Sequence, residues 1–311
     1  MLRRGNVPAV YPGQEDPFPL RTEQLTTVRK IHVRTSHLVS DLFAGQYQSA
    51  FKGQGMEFSE VRHYLPGDDI RAIDWNVTAR TGIPHVKRFV EERELTVMVL
   101  VDASASTRFG TVSQLKSEMA AEMAALFAFS AISNNDKVGL VIFSDRVELS
   151  LAPKKGTRHV LRVIREVLSF QARHTGTNIA AALEHLNRVS KRRGVVFVIS
   201  DFLDAGAGLA LKIANRRHDV IGVVLDDPRE WTLPDVGLMV FEDAETGERL
   251  LVDTGSRRVR QAFARQAEEA RRQRARLLHG VDMDTIAVRT DRPYVEALLR
   301  FFRLREERGS R

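Results

Sequence analysis

Four uninterrupted apolar runs constrain this chain more than any other feature. They are TVMVLVD (96–102), KVGLVIFS (137–144), GVVFVIS (194–200) and DVIGVVL (219–225). A strand that is apolar on both faces is one buried on both faces, which is the habit of parallel sheets sandwiched between helices. The intervening segments 113–134, 157–169, 178–191 and 206–217 have helical length and apolar spacing. Strands alternating with helices imply right-handed crossovers and a mostly parallel sheet. VELSL (147–151) fits an antiparallel edge strand. LMVFED and ERLLVD around AETG fit a hairpin. A charged helix over 256–279, a last strand TIAVRT and a closing helix over 292–305 complete the pattern.

The expected fold is therefore an α/β, doubly wound, Rossmann-type sheet over residues 94–305. An N-terminal segment over residues 21–93, part helical and part extended, packs on it. Residues 1–20 hold four of the ten prolines and read as an irregular leader, and residues 306–311 as a tail. Leu25, Val28, Ile31, Leu38, Leu42 and Phe43 have the spacing of one or two short helices over 22–45. GQYQSAFKGQG (45–55) reads as a polar, glycine-marked stretch, and residues 56–93 as extended chain with turns.

Composition removes several function classes. The chain lacks cysteine, which excludes disulfides, thiolate metal sites and cysteine nucleophiles. Its segments fall short of the roughly 18 apolar residues that span a bilayer. The first twenty residues lack the apolar stretch of a signal peptide. A cytoplasmic protein without a membrane span is expected. The formal net charge is +7, with much of the excess in Arg257 to Arg276. Glu268 and Glu269 interrupt that stretch, and aromatic residues do not interleave with it. A solvated helix face is favoured over a nucleic-acid patch.

In a doubly wound sheet, ligands gather beyond the carboxyl ends of the strands. The segment DASAS lies there, directly after TVMVLV, and supplies Asp102, Ser104 and Ser106. Two other loops share that end. HTGTNIAAAL carries Thr177, and VISD ends on Asp201. Oxygen-only ligands favour a hard cation such as Mg²⁺ or Mn²⁺. The competing reading is helix capping, since Asp, Ser and Thr are favoured N-caps. Thr177 has Thr175 as a close rival. His174 is the nearby general-base candidate for a metal-dependent hydrolase; phosphate-loop, HExxH and Ser-His-Asp patterns are lacking.

This DxSxS, Thr and Asp set resembles the metal-ion-dependent adhesion site of von Willebrand factor A domains. The resemblance implies binding chemistry rather than turnover: serines touch the ion, aspartates act often through water, and an open position takes a partner's Glu or Asp. A second stretch, Gly53 to Glu94, resembles the signature of a bacterial family known as domain of unknown function fifty-eight. The matching residues are Gly55, Glu57, Phe58, Val61, Arg62, Tyr64, Pro66-Gly67-Asp68-Asp69, Arg71, Ile73-Asp74-Trp75, Ala79-Arg80 and Glu91-Glu92. Members carry a von Willebrand A-like domain behind this signature, and are often encoded beside a MoxR-type AAA+ ATPase. The resemblance thus implies an adaptor between such an ATPase and its client. From the residues alone, Arg62, Asp68, Asp69, Arg71, Asp74 and Arg80 suggest a buried ion-pair network that docks the segment.

Overall fold

A computed structural model describes residues 56–91, 94–110, 114–243 and 246–309, with Tyr47, Ala50 and Phe51. The leader over 1–20 and the helices expected over 22–45 lie outside the described residues. Strands β3 (Thr96–Asp102), β4 (Lys137–Phe143), β6 (Val195–Ser200), β7 (Asp219–Asp226) and β10 (Asp284–Arg289) are parallel, and β5 (Val147–Lys154) is antiparallel to β4. Their order is β10-β7-β6-β3-β4-β5, and β8 (Leu238–Glu242) and β9 (Arg249–Asp253) pair antiparallel as a separate hairpin. The six-stranded sheet is the doubly wound, mostly parallel one that the apolar runs imply.

Successive side chains of β3 face opposite ways, and the core divides accordingly. Val97, Val99 and Val101 join one cluster with α2 (Lys116–Ser133), α3 (Thr157–Ser169) and α7 (Val295–Gly309). Met98 and Leu100 join the other, with α4 (Ile179–Val189), α5 (Gly208–Arg217) and the C-terminal end of α6 (Arg257–Gly280). Helix α2 is apolar nearly all round because it is buried nearly all round, from Met119 to Ala131. Among the described residues, no helix is long and apolar enough to cross a membrane.

Tyr47 and Phe51 are the exceptions to the polar character read over 45–55. Both are buried, and Phe51 N–H donates to the Tyr47 carbonyl over 3.0 Å as in a helical turn. Phe51 meets Phe197 and Phe302 edge-on at 5.9 Å, so the N-terminal segment is anchored in the first core cluster. Polar neighbours concealed two aromatic anchors.

The signature segment forms a hairpin of β1 (Met56–His63) and β2 (His85–Glu91) that encloses a short helix, α1 (Trp75–Thr81). The expectation of extended chain missed α1. Its signals are local: Asp74 accepts from the N–H groups of Asn76 and Val77, and Gly82 ends the helix in the left-handed region at φ 71°. The single buried ion network expected here is also corrected. Arg62 grips Asp68 through two bonds of 2.7 Å, while Asp69 and Asp74 cap helical turns. Asp69, Arg71 and Arg80 are exposed, so water solvates them where a buried network would need partners. The last helix, expected to end at 305, continues to Gly309.

Candidate metal centre

The strand order reverses at β3, because the chain adds β4 and β5 on one side and β6, β7 and β10 on the other. Helices leave neighbouring strands in opposite directions at such a point and open a crevice. Two of the three loops named from the sequence flank it: DASAS follows β3, and Asp201 follows β6. The third is tied to them, since Ala105 N–H donates to the Thr175 carbonyl at 2.9 Å. Thr177 itself is half-buried in that loop. The side chains that cap α4 are Asn178, accepting from Ala181 N–H, and Asp204, accepting from Ile179 N–H.

Asp102 and Ser104 are almost wholly buried. Asp102 Oδ1 accepts from Ser104 N–H at 2.9 Å, and Oδ2 accepts from the Ser200 hydroxyl at 2.6 Å. Ser200 thus links the two aspartates, because it precedes Asp201 in the chain. Burial and the neighbouring Asp201 carboxylate push the Asp102 pKa up to about 6. A carboxylate that resists ionising beside another is a place where a cation is stabilising.

The serine hydroxyls fit such a cation. Ser104 Oγ and Ser106 Oγ lie 3.0 Å apart. Adjacent ligands of an octahedral Mg²⁺, at about 2.1 Å from the ion, are separated by about 3.0 Å. The same spacing suits the hydrogen bond the two hydroxyls make with each other. Asp102, Ser104, Ser106, Thr177 and Asp201 would hold the ion. Two carboxylates leave it below the usual threshold of a carboxylate cage, and groups of three or more His, Cys, Asp or Glu suited to a metal are absent among the described residues.

Phe202 orients Asp201. This bulky residue sits in the left-handed region at φ 55°, with its ring fully buried. Such a conformation persists only where its surroundings impose it. Its N–H donates to Ser200 Oγ at 3.2 Å. Gly222 in β7 leaves room for the ring: a Cβ there would lie 3.1 Å from Phe202 Cζ and 2.8 Å from Met283 Cε.

Three residues beyond the sequence-derived set enter the site. The Lys116 ammonium, fully buried at the start of α2, donates to Asp201 Oδ2 at 3.0 Å and to Glu230 Oε1 at 2.5 Å. Burial alone would lower its pKa, but the Asp201 and Glu230 carboxylates outweigh burial and raise it. Glu230 is shifted upward, chiefly by burial. Arg274, on the arginine-rich helix, donates to the Asp201 carbonyl at 3.0 Å and grips the Asp226 carboxylate. One signal was available: Lys116 is the lone lysine of a helix rich in apolar residues. His174 lies with Nδ1 3.9 Å from Asp145 Oδ1, on the side of β4. A cleft of about 500 Å³ adjoins Asp102, lined in part by Thr107, Arg108, Ser117, Phe170 and Gln171.

Fold and loop geometry together define a doubly wound α/β domain carrying an oxygen-lined strand-end centre. The chain matches, over residues 60–274, the family described as "Protein of unknown function DUF58", and belongs to it. An uncharacterized protein of Mycobacterium tuberculosis is 33% identical over 287 residues, covering 91% of this chain and 87% of its own length. Among solved structures, the conserved hypothetical protein BatB from Bacteroides thetaiotaomicron gives a TM-score of 0.46 at 16% identity, covering 68% of this chain and 99% of its own. A von Willebrand factor type A protein from Catenulispora acidiphila gives 0.38 at 11%, covering 71% and 43%.

Proposed function

We propose that this chain is a non-enzymatic, divalent-metal-dependent protein-interaction module working in the cytoplasm. One observation carries the reading. Two serine hydroxyls stand 3.0 Å apart beside two electrostatically coupled, buried aspartates at the topological switch point. With the charge set back behind neutral oxygens, a bound Mg²⁺ or Mn²⁺ would remain electrophilic and attract a carboxylate from a partner. The partner is a MoxR-type AAA+ ATPase or the client it remodels, as the family resemblance implies. Apolar side chains near the loops support a docking surface: Phe109, Leu115 and Leu203 are all exposed. The arginine-rich helix spends part of its charge internally, through Arg274 with Asp226, Arg272 with Glu268 and Arg276 with Glu269. That favours protein over nucleic acid as the partner.

The test is capture of a purified MoxR-type ATPase from the same organism on the immobilised chain, with and without EDTA, for wild type and Asp102→Ala. Capture should fall on either change. Capture that survives both sinks the metal-bridged reading. Titration calorimetry with Mg²⁺ and Mn²⁺ separates a failure of ion binding from a failure of partner choice.

A further inference from the structure

The buried ammonium of Lys116 has no explanation in helix formation. It is the first residue of α2, where the helix dipole disfavours a cation. Its side chain has no solvent exposure and ends between two carboxylates from distant parts of the chain, Asp201 and Glu230. Glu230 belongs to a short turn, Pro228–Glu230, that follows β7, and its other oxygen accepts from Asp227 N–H at 3.1 Å. The next residue, Trp231, lies under the guanidinium groups of Arg271 and Arg274, at 5.3 and 5.2 Å. Arg274 returns to the Asp201 carbonyl. Asp201 is therefore held at its carboxylate by Lys116 and at its carbonyl by Arg274, and both routes meet at the 228–231 turn.

We propose that Lys116 is a resident counter-ion that competes with the divalent cation for Asp201, and that Glu230 is the carboxylate that holds the ammonium when the cation takes Asp201. The proposal rests on the metal reading above. Like charges in a buried site repel strongly, so an ammonium already bonded to Asp201 lowers the affinity for a dication. Asp201 and Glu230 share one ammonium, so its position along the line between them sets that penalty. Ion occupancy is thereby coupled to the turn that carries Glu230 and Trp231. The consequence is a centre of tempered affinity, one that loads or empties as the 228–231 turn is engaged.

The experiment is Mn²⁺ titration followed by electron paramagnetic resonance, with Mg²⁺ competition, on the full chain. Four proteins are compared: wild type, Lys116→Met, Glu230→Gln and the double variant. Lys116→Met should bind Mn²⁺ at least about tenfold more tightly. Glu230→Gln should bind more weakly, because the ammonium then rests wholly on Asp201. The double variant restores the local net charge yet frees Asp201, and should bind more tightly than wild type. It also guards against misfolding of the single lysine variant, since it removes one buried charge of each sign; circular dichroism and a cooperative melt establish folding for each protein. A purely structural role for Lys116 would weaken binding in all three variants, and that outcome overturns the proposal. If wild type binds and Lys116→Met binds no more tightly, the competition falls while the metal reading stands. If none of the four folded proteins binds Mn²⁺, the metal reading falls and this proposal with it.

Discussion

Two charged clusters in this molecule differ both in their spacing along the sequence and in their physics. One is Arg62, Asp68, Asp69, Arg71, Asp74 and Arg80, dense within nineteen residues of the signature segment. The other is Lys116, Asp201 and Glu230, scattered over more than a hundred residues. The dense cluster is mostly solvated: Asp69, Arg71 and Arg80 are exposed, and Asp69 and Asp74 cap local turns. The scattered one is buried at the end of the sheet, with the lysine wholly enclosed. Proximity in sequence measures how cheaply charges meet. Burial measures how much their meeting matters, because desolvation has to be offset by the partner.

The largest effect should therefore come from the scattered cluster. Lys116→Ala leaves the Asp201 and Glu230 carboxylates facing each other without their shared cation. Breaking one side of a buried pair costs about 3–5 kcal/mol. Urea denaturation at neutral pH should show a midpoint lowered to match. Saturating Mg²⁺ should recover part of the loss, since a ligand that binds only the folded state stabilises it by mass action. A midpoint close to wild type would mean that water already screens the triad, and the contrast between the clusters would collapse.

Next in size is Gly222→Val. The added side chain would meet Met283 Cε and Phe202 Cζ, both closer than ordinary contact. Overpacking of this kind costs about 1–3 kcal/mol. The distinguishing readout is ion affinity, because Phe202 fixes the backbone at Asp201. A loss of stability together with weaker Mn²⁺ binding supports that linkage. Lost stability with unchanged binding would show that Phe202 is only a core residue.

How legible the molecule was follows from the same contrast. The sheet could be read because four runs apolar on both faces admit few alternatives, and β5 because VELSL is short and follows a tight turn. The loops after β3 and β6 could be read because Asp102, Ser104, Ser106 and Asp201 lie at predictable points on that sheet, whereas Thr177 lies in the loop between α3 and α4. Helix α1 was missed because its cues are one cap and one glycine over seven residues. Tyr47 and Phe51 were missed because their burial depends on Phe197 and Phe302, far along the chain. Lys116, Glu230 and Arg274 were missed for a related reason. Glu230 and Arg274 are ordinary in their local settings, and the lone lysine that opens α2 becomes part of the site only through tertiary contact.

Asp136 sharpens the comparison with a buried carboxylate held by neutral donors. It accepts from Leu95 N–H at 2.8 Å and from the Tyr47 hydroxyl at 3.3 Å. Burial raises its pKa from 3.8 to about 6, the two hydrogen bonds opposing the rise. Between those values the folded state holds a proton that the unfolded chain has released. Its contribution to stability is therefore present below about pH 4 and is lost as pH rises through 6. Asp136→Asn removes the titration while keeping an oxygen for both donors. Over pH 4 to 6, the difference in stability between variant and wild type should grow in the variant's favour. A constant difference across that window would mean that Asp136 is solvated enough to titrate normally.

The smallest effect is expected from the dense cluster. The Arg62–Asp68 pair has good geometry, two bonds of 2.7 Å, and it lowers the Asp68 pKa through those bonds and through Leu65 N–H. Yet the arginine side chain is 37% exposed. Exposed pairs gain little over hydration by water and are weakened further by salt. Arg62→Ala should leave the urea midpoint within experimental scatter and leave Mn²⁺ affinity unchanged. It should also raise the Asp68 pKa toward its ordinary value, which carboxyl carbon chemical shifts follow directly. A large loss of stability would reverse the comparison and make the signature segment a structural keystone. A change in partner capture at unchanged stability would instead give the exposed charges a recognition role, separate from the centre at the end of the sheet.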